Sequence, residues 1–447
     1  MTSRLSRNAI WALAEVVVSS VTLFLLYRIV TATLGVRALG IWSLVLATTS
    51  LARFGDLGAS AGLSRLVAVA DEREGRRPVD YVEAALLTTA ALYGAMALVL
   101  FWPVKAALQH SLAGPDFESA RALLPYSLVS FAIAATAGSV TTGLIGQHRA
   151  DHKSMLAILA FFLQLTIAVI SVKAHGLVGL AWAQIAQNVF LLIAGWLLFL
   201  RNDAGRLVLA PPFRWRKKVV SELLGFGMQL QAANLISFLF EPMTKFVMSS
   251  LGGLEALGLY EMANRMILQV RQLIVAPVQV LTPAFAVGER EAGRLERLYE
   301  RAFATALPLA SAATLTLVAA SPLVSIMWVG HLSGLFVSYT AIMGVGWLVN
   351  MIASPAYLVG VGRGRVGWNI AGHVITSGGG PLLSLLFGGI FGAVGVAVGA
   401  STMLALGALV GLFMNCRKAG FRAISPAGVV WEIHRNNLRR LRAALSL

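Results

Sequence analysis

The residues with the clearest chemical potential are charged side chains that interrupt long apolar stretches of the chain. Ten of them lie inside or near the ends of such stretches: Glu15, Arg28, Arg53, Asp56, Arg65, Glu241, Lys245, Glu261, Arg265 and Arg271. A charge at the centre of a bilayer costs at least about 2.5–3.5 kcal/mol, so such groups normally pair or face a water-filled cavity. Six of the ten are cations. They predict a mixed cavity that is cationic on balance and suited to an anionic ligand.

Two interpretations of these charges remain open. Arg53 and Asp56 are three residues apart, and Glu241 and Lys245 are four apart, spacings that bring side chains together on one helix face. They could form structural ion pairs within a helix, or they could line the cavity. Glu261 lies near the end of its predicted helix and could reach the membrane interface.

A polar face accompanies the charges in the second half of the chain. Gln231, Asn234 and Glu241 follow an i, i+3, i+10 pattern, which places them on one side of a helix. We expect this face to look into the cavity, although interhelical hydrogen bonding would also explain it.

The elements that position these residues are predicted to be membrane spans. The 447 residues are 57% hydrophobic and 13% charged, with a mean hydropathy of +0.77, whereas soluble domains are about 25% charged. The composition predicts an all-α polytopic membrane protein of about twelve spans. The predicted spans are approximately 9–34, 40–70, 81–103, 121–146, 154–174, 177–200, 223–250, 258–288, 302–328, 336–360, 369–388 and 393–414.

The net charge of +16 is explained by orientation rather than by nucleic-acid binding, because no basic patch belongs to a polar domain. Lys and Arg cluster in alternate loops, which predicts that those loops and both termini are cytoplasmic. The clusters are "DEREGRRP" (71–78), "QHRADHK" (147–153), "RWRKK" (214–218), "EREAGRLERLYER" (289–301), "GRGR" (362–365) and the tail.

The longest internal loop divides the chain near its midpoint. It contains Pro211 and Pro212 and is strongly basic. We expect two pseudo-symmetric six-helix lobes around a central cavity. The predicted parts are the first lobe (1–200), a basic cytoplasmic linker (201–222), the second lobe (223–414) and a basic amphipathic tail at the membrane surface (415–447).

A repeated phrase supports the two-lobe division. "LGVRALG" begins at residue 34 and "LGGLEALG" begins at residue 251. Arg28 and Lys245 each lie six residues before their phrase, so they are equivalent in the repeat, and one inserted residue then aligns Arg53 with Arg271. Internal repeats of this kind are common in transporters.

Several other chemistries have no motif in the sequence. There is no G-x-x-x-x-G-K-[ST] loop, no H-E-x-x-H and no C-x-x-C, and the chain has one cysteine, Cys416. We therefore expect no metal, no cofactor and no enzymatic activity.

A family resemblance rests on motifs in both halves. The segment "LGVRALGIWSLVLATTSLARFGDLGASAGLSRLVA" (34–68) resembles the first-to-second-helix region of polysaccharide-unit flippases. These belong to the multidrug/oligosaccharidyl-lipid/polysaccharide (MOP) exporter superfamily. In the other half, "LGGLEALGLYEMANRM" (251–266) is similar to the family's Gly-aliphatic-Tyr-x-x-Ala pattern, and "PVQVLTPAFA" (277–286) is similar to the end of that helix.

The resemblance implies a flippase that carries an undecaprenyl-diphosphate-linked oligosaccharide across a bacterial inner membrane by alternating access. Its other expected partners are membrane lipids, a coupling ion (H⁺ or Na⁺) and the polysaccharide polymerase machinery. The expected anion contacts are Arg28, Arg53, Lys245, Arg265 and Arg271. The expected charge partners or coupling sites are Glu15, Asp56 and Glu241, with Gln231 and Asn234 on the polar cavity face.

Three other functions remain open. A multidrug and toxin extrusion antiporter would share the lobes, but the cation excess disfavours a site for cationic drugs. A peptidoglycan-precursor flippase would also need a cationic cavity, but that family usually has two further spans. A membrane glycosyltransferase or ligase would need catalytic acids in a large external loop, and the predicted loop 104–120 holds only Asp116 and Glu118.

Overall fold

The computed structural model describes most of the chain. The described residues are 2–55, 62–68, 70, 77–204, 206, 210–212, 216–279, 281, 285, 293–426, 428, 430–433 and 435, with side chains unplaced at 2–6, 9, 54–55 and 225–235. All regular structure among them is helical. By contacts, the chain forms two compact units, residues 1–238 and 239–447.

The first unit contains seven α-helices. They are α1 (Thr2–Leu34), α2 (Val36–Thr49), α3 (Leu63–Ala68), α4 (Pro78–Ser111), α5 (Gly114–Gly146), α6 (Ala150–Ala204) and α7 (Lys217–Phe238), with a 3₁₀ segment at Ser50–Gly55. The second predicted span is thus broken between α2 and α3. At one end of the unit, Tyr81, Val82, Leu144 and Phe199 form a buried apolar core.

The second unit contains five α-helices. They are α8 (Phe240–Gln279), α9 (Arg294–Val329), α10 (Gly334–Gly362), α11 (Gly367–Val374) and α12 (Gly380–Ala419), with a π-helical segment at Ile375–Gly379 that joins the last two. A second apolar core contains Phe285, Tyr299, Val359 and Cys416.

Seven of the described helices are long and apolar enough to cross a membrane. Two of them, α6 with 55 residues and α11–α12 with 53, are long enough for two crossings each, because about 20 residues suffice for one. Counting the bent helices on either side of their bends, and joining α2 to α3 and α7 to the start of α8, the described residues form twelve rods. The predicted all-α polytopic membrane fold is confirmed.

Matching glycines bend the chain at equivalent places in the two units. Gly35, between α1 and α2, has φ 82° and ψ 168°, and Gly253 within α8 has φ 80° and ψ 175°. Gly176 in α6 has φ 57° and ψ −135°, and Gly392 in α12 has φ 61° and ψ −146°. Side chains other than glycine's hydrogen are strained in this region. The repeat seen in the sequence is therefore also a repeat of backbone geometry.

A third matching turn connects helices further along each unit. His148 (φ 58°) follows α5 and Gly364 (φ 68°) follows α10. Their separation in the sequence equals that of Gly176 and Gly392, and we call it the late register. Their hydrogen bonds also correspond, since Arg149 N–H donates to Leu144 O and Arg365 N–H donates to Gly360 O, both at 2.9 Å.

The register of the first repeat differs from the prediction by one residue. The separation of the bend glycines Gly35 and Gly253, which we call the early register, is one longer than that of Arg28 and Lys245. The inserted residue therefore precedes the turn, and the early register pairs Lys245 with Tyr27. The burial agrees, because Tyr27 is 7% exposed and Lys245 is 1% exposed, whereas Arg28 is exposed. The Arg28–Lys245 equivalence is therefore wrong, and the Arg53–Arg271 equivalence fits the early register.

The predicted domain boundaries stay predictions, and the contacts add detail to them. Helix α6 continues to Ala204 and α7 begins at Lys217, within the predicted linker 201–222. By contacts, α7 groups with the first unit. Helix α12 continues to Ala419, and Gly420 ends it, so the predicted tail segment 415–447 begins inside a helix. Residues 436–447 of that tail lie outside the described residues.

Candidate functional site

Arg53 and Arg271 are held by aromatic rings of neighbouring helices. The Arg53 guanidinium lies 5.6 Å from the Phe131 ring centroid and 4.9 Å from that of Phe238, all within the first unit. In the second unit, the Arg271 guanidinium lies 5.3 Å from the Trp347 ring centroid. Its Nε also donates to Asn350 Oδ1 at 3.0 Å. A guanidinium with its face on a ring can still donate hydrogen bonds from its edge.

The two arginine sites are equivalent in the repeat. Arg53 and Arg271 are related by the early register that the bend glycines give, and Phe131 and Trp347 are related by the late register. Each unit thus places one arginine from its second rod on an aromatic ring from its fourth. The exposed edge of such a guanidinium is suited to donate to phosphate oxygens.

A network of four charges forms within α8, across the bend at Gly253. Lys245 Nζ lies 2.6 Å from Glu241 Oε1 and 2.6 Å from Glu261 Oε2. Arg265 Nε lies 2.7 Å from Glu261 Oε1, and its Nη2 lies 3.3 Å from Glu241 Oε1. The side chains of Lys245 and Glu261 are only 1% and 2% exposed. The expectation that Glu261 reaches the interface is wrong, because it pairs with both bases.

The network joins the two arms of α8 and has no net charge. Glu241 and Lys245 precede the bend, whereas Glu261 and Arg265 follow it. A buried acid–base network is stable only when every charge is compensated, and here each acid contacts both bases. Lys245 and Arg265, predicted as anion contacts, are therefore bound to acids of the same helix.

The first unit forms the same turn without these charges. In the early register, the network positions correspond to Leu23, Tyr27, Ser43 and Ala47. The matching backbone at Gly35 forms with those residues. The four charges are therefore not a requirement of the turn, which points to a function that the second unit alone carries.

The remaining predicted residues are distributed differently. Glu15 Oε1 accepts from Lys153 Nζ at 2.5 Å, which ties α1 to α6. Arg28 is exposed on α1. Asp56 lies outside the described residues, and so do the side chains of Gln231 and Asn234. The charge-partner and polar-face predictions for these three stay predictions.

The sequence reasoning missed the aromatic partners and Lys153. Phe131 and Trp347 could have been found by extending the repeat past its first two rods, since both fit the late register. Lys153 is far from Glu15 in the chain, and no local spacing rule predicts such a contact. The acids of the predicted external loop also have partners, because Asp116 Oδ2 lies 2.6 Å from Arg37 Nη2 and Glu118 Oε2 lies 3.3 Å from Arg121 Nη1.

Comparison with known proteins identifies relatives by sequence and by fold. A family model described as "polysaccharide biosynthesis protein" matches residues 34–331. No curated protein sequence matches the chain significantly.

Solved structures with the same fold are transporters. An inward-facing multidrug resistance MATE transporter of the MOP superfamily has a TM-score of 0.76 at 18% identity, covering 89% of this chain and 94% of its own. The lipid II flippase MurJ in an inward closed conformation has a TM-score of 0.70 at 13% identity, covering 98% and 91%. A MOP-superfamily transporter from Pyrococcus furiosus, whose title reports a binding pocket of reverse polarity, has a TM-score of 0.66 at 17% identity, covering 93% and 95%.

Proposed function

Because the chain belongs to the polysaccharide biosynthesis protein family, we propose that it is a flippase for a lipid-linked oligosaccharide. The substrate would be an undecaprenyl-diphosphate-linked oligosaccharide that moves from the inner to the outer leaflet of a bacterial inner membrane. Both termini would be cytoplasmic, as the distribution of Lys and Arg favours.

The observation that carries this proposal is the repeated arginine–aromatic pair. Arg53 with Phe131, and Arg271 with Trp347, give each unit one oriented guanidinium. A diphosphate offers oxygens to two guanidinium forks at once, whereas a cationic drug would be repelled by them. We propose that the two arginines bind the diphosphate during transport, and that Arg28 adds to the attraction.

Transport would proceed by alternating access of two six-helix lobes, with the lipid tail remaining in the bilayer. The repeated bends at Gly35 and Gly253, and at Gly176 and Gly392, support a construction from two similar halves. The charge network within α8 would respond to the coupling ion, H⁺ or Na⁺. Glu241 is its most accessible carboxylate, with 43% of the side chain exposed.

A peptidoglycan-precursor flippase is the second candidate, favoured by the fold match to a lipid II flippase over 98% of this chain. Both candidates bind a polyprenyl diphosphate and differ in the attached glycan. The arginine pair would serve either substrate.

Deletion of the gene tests the proposal and separates the two candidates. We expect a lipid-linked oligosaccharide of a surface polysaccharide to accumulate in the inner leaflet, as measured by lipid extraction and mass spectrometry. Complementation with the wild type should clear it, and complementation with Arg53→Ala should not. Accumulation of the peptidoglycan precursor would favour the second candidate. Normal levels of both lipids in the deletion strain would contradict the proposal.

A further inference from the structure

A basic cavity lies in the second unit, where α10 ends and α11 begins, against the end of α12. Its volume is about 340 Å³, and three of its lining side chains are cations. The lining residues that matter here are Arg363, Arg365, Gly367, Trp368, Asn415 and Lys418.

The wall of the cavity is built from buried polar side chains. Asn415 is 5% exposed, and its Nδ2 donates to Asn369 Oδ1 at 2.7 Å. Asn369 in turn donates to Tyr357 O at 3.0 Å, which fixes α11 against α10. Arg363 Nη1 donates to Lys418 O at 3.3 Å, so the turn and the end of α12 are also joined. The cations are therefore mounted on a fixed frame.

The equivalent turn of the first unit carries its own carboxylate. Asp151 is 5% exposed, and its carboxylate lies 2.8 Å from Arg7 Nη2 and 3.4 Å from Arg149 Nε. In the late register that the turns at His148 and Gly364 define, Arg149 corresponds to Arg365 and Asp151 corresponds to Gly367.

The second unit has open space where the first has that acid. A Cβ atom added at Gly367 would meet no atom within 4 Å, and the residue has no positive φ. Among the described residues, the lining of this cavity includes three cations and no carboxylate. An anion from outside the chain would find there the charge environment that Asp151 occupies in the first unit.

We propose that this cavity binds a phosphate group, and that the residues that recognise it are Arg363, Arg365 and Lys418. Two guanidinium forks and one ammonium match the oxygens of a phosphate better than those of a single carboxylate. Trp368 lies at the edge of the cavity, and Trp is enriched at the level of lipid headgroups. Basic pockets between membrane helices commonly hold phosphate headgroups of anionic lipids.

A simpler explanation is that the bases only offset the dipoles of helix ends. Arg363 follows the end of α10, and Lys418 lies in the last turn of α12, positions where cations are favourable. That explanation predicts no ligand and no consequence of filling the space at Gly367. Gly367→Asp separates the two accounts, because it supplies in the second unit the carboxylate that the first unit has.

The experiment uses the purified full-length protein in detergent, with added phosphatidylglycerol, phosphatidylcholine or inorganic phosphate. Binding is measured by native mass spectrometry and by the shift of the unfolding temperature. We expect phosphatidylglycerol to bind the wild type about tenfold or more tightly than Gly367→Asp or the double variant Arg365→Gln with Lys418→Gln. Gly367→Asp without lipid should be at least as stable as the wild type, since an acid is favourable in the first turn of α11.

The matched control removes two cations that do not line the cavity, Arg417→Gln with Arg422→Gln, and should bind phosphatidylglycerol as the wild type does. A stabilisation by phosphatidylglycerol but not by inorganic phosphate assigns the site to a lipid headgroup. An equal stabilisation by inorganic phosphate assigns it to a soluble phosphate. Unchanged binding of both probes in Gly367→Asp and in the Arg365/Lys418 double variant would overturn the proposal.

Discussion

At the scale of single residues, the intramembrane cations divide into two groups by their partners. Arg53 and Arg271 rest on aromatic rings, which hold a guanidinium in place without neutralising it. Lys245 and Arg265 are bound by Glu241 and Glu261. An anionic substrate would have to displace internal carboxylates to reach the second group. The first group is therefore the better candidate for direct substrate contact.

Arg53→Ala is expected to abolish export while the protein still inserts. Each lost charge-assisted contact should weaken substrate binding by roughly 1.5–3 kcal/mol, or about ten- to a hundredfold. Arg53→Lys should restore only part of it, because a point charge cannot reproduce the bidentate fork. Export of lipid-linked oligosaccharide is the measurement, and Arg121→Ala, an exposed base paired with Glu118, is the control.

The double variant Arg53→Ala with Asp56→Ala distinguishes substrate contact from charge neutralisation. If Arg53 only compensates Asp56, removing both charges should restore export. We expect the double variant to remain inactive. Recovery of export would assign Arg53 a structural role.

Lys245→Ala is expected to lower the stability of the second unit by about 3–5 kcal/mol, because it leaves the buried Glu261 and Glu241 with one base between them. Lys245→Met with Glu261→Gln should recover much of the stability, since Glu241 and Arg265 then remain as a balanced pair. Unfolding of the detergent-solubilised protein followed by tryptophan fluorescence measures the difference. Equal stability of the single and double variants would contradict the network.

At the scale of elements, hydropathy predicted the spans well, and the breaks within them poorly. The spans near 81–103, 121–146 and 336–360 correspond to α4, α5 and α10, because a run of apolar residues is sufficient to predict a membrane helix. The interruption of the second span between α2 and α3 has no such signal. The join of α11 to α12 through a π-helical segment also depends on packing against other helices.

The charge network was only partly predictable for the same reason. The spacing of Glu241 and Lys245 predicted one ion pair, and that pair forms. The contacts of both with the second arm of α8 require the bend at Gly253. A bend of this kind is specified by one glycine, which looks in sequence like its neighbour Gly252.

Gly253→Ala is expected to destabilise the protein by about 1–3 kcal/mol, because φ 80° with ψ 175° is accessible almost only to glycine. Gly389→Ala is the matched control, since Gly389 lies within α12 with no positive φ and open space around it. It should be neutral or slightly stabilising. Unfolding temperatures of the two variants give the comparison, and equal values would argue against the strained bend.

At the scale of the whole molecule, the two units share three turns and one arginine–aromatic pair but differ in their charges. The second unit alone carries the charge network and the basic cavity at the end of α10, among the residues that the structure describes. The resemblance to the MOP superfamily that the sequence motifs indicated is confirmed by the family match and by the fold. The glycan was not predictable, because no residue type or spacing specifies a sugar.

Orientation in the membrane is tested by cysteine labelling. Cys416 is buried, so a Cys416→Ser background should retain the fold and give no labelling of its own. We expect Gln109→Cys to react with an impermeant thiol reagent added outside intact cells, and Arg77→Cys to react only after the cells are opened. Both positions are exposed in the structure. The reverse pattern would invert the topology and the direction of export.

The most direct test of the account is lipid translocation by the purified protein in proteoliposomes. The measurement is the fraction of a labelled polyprenyl-diphosphate oligosaccharide that moves between leaflets, for the wild type, Arg53→Ala, Arg271→Ala and Arg121→Ala. The account predicts translocation by the wild type and Arg121→Ala, and its loss in both Arg53→Ala and Arg271→Ala. Translocation by both of those variants at the wild-type rate, or none by the wild type under an H⁺ or Na⁺ gradient, would contradict it.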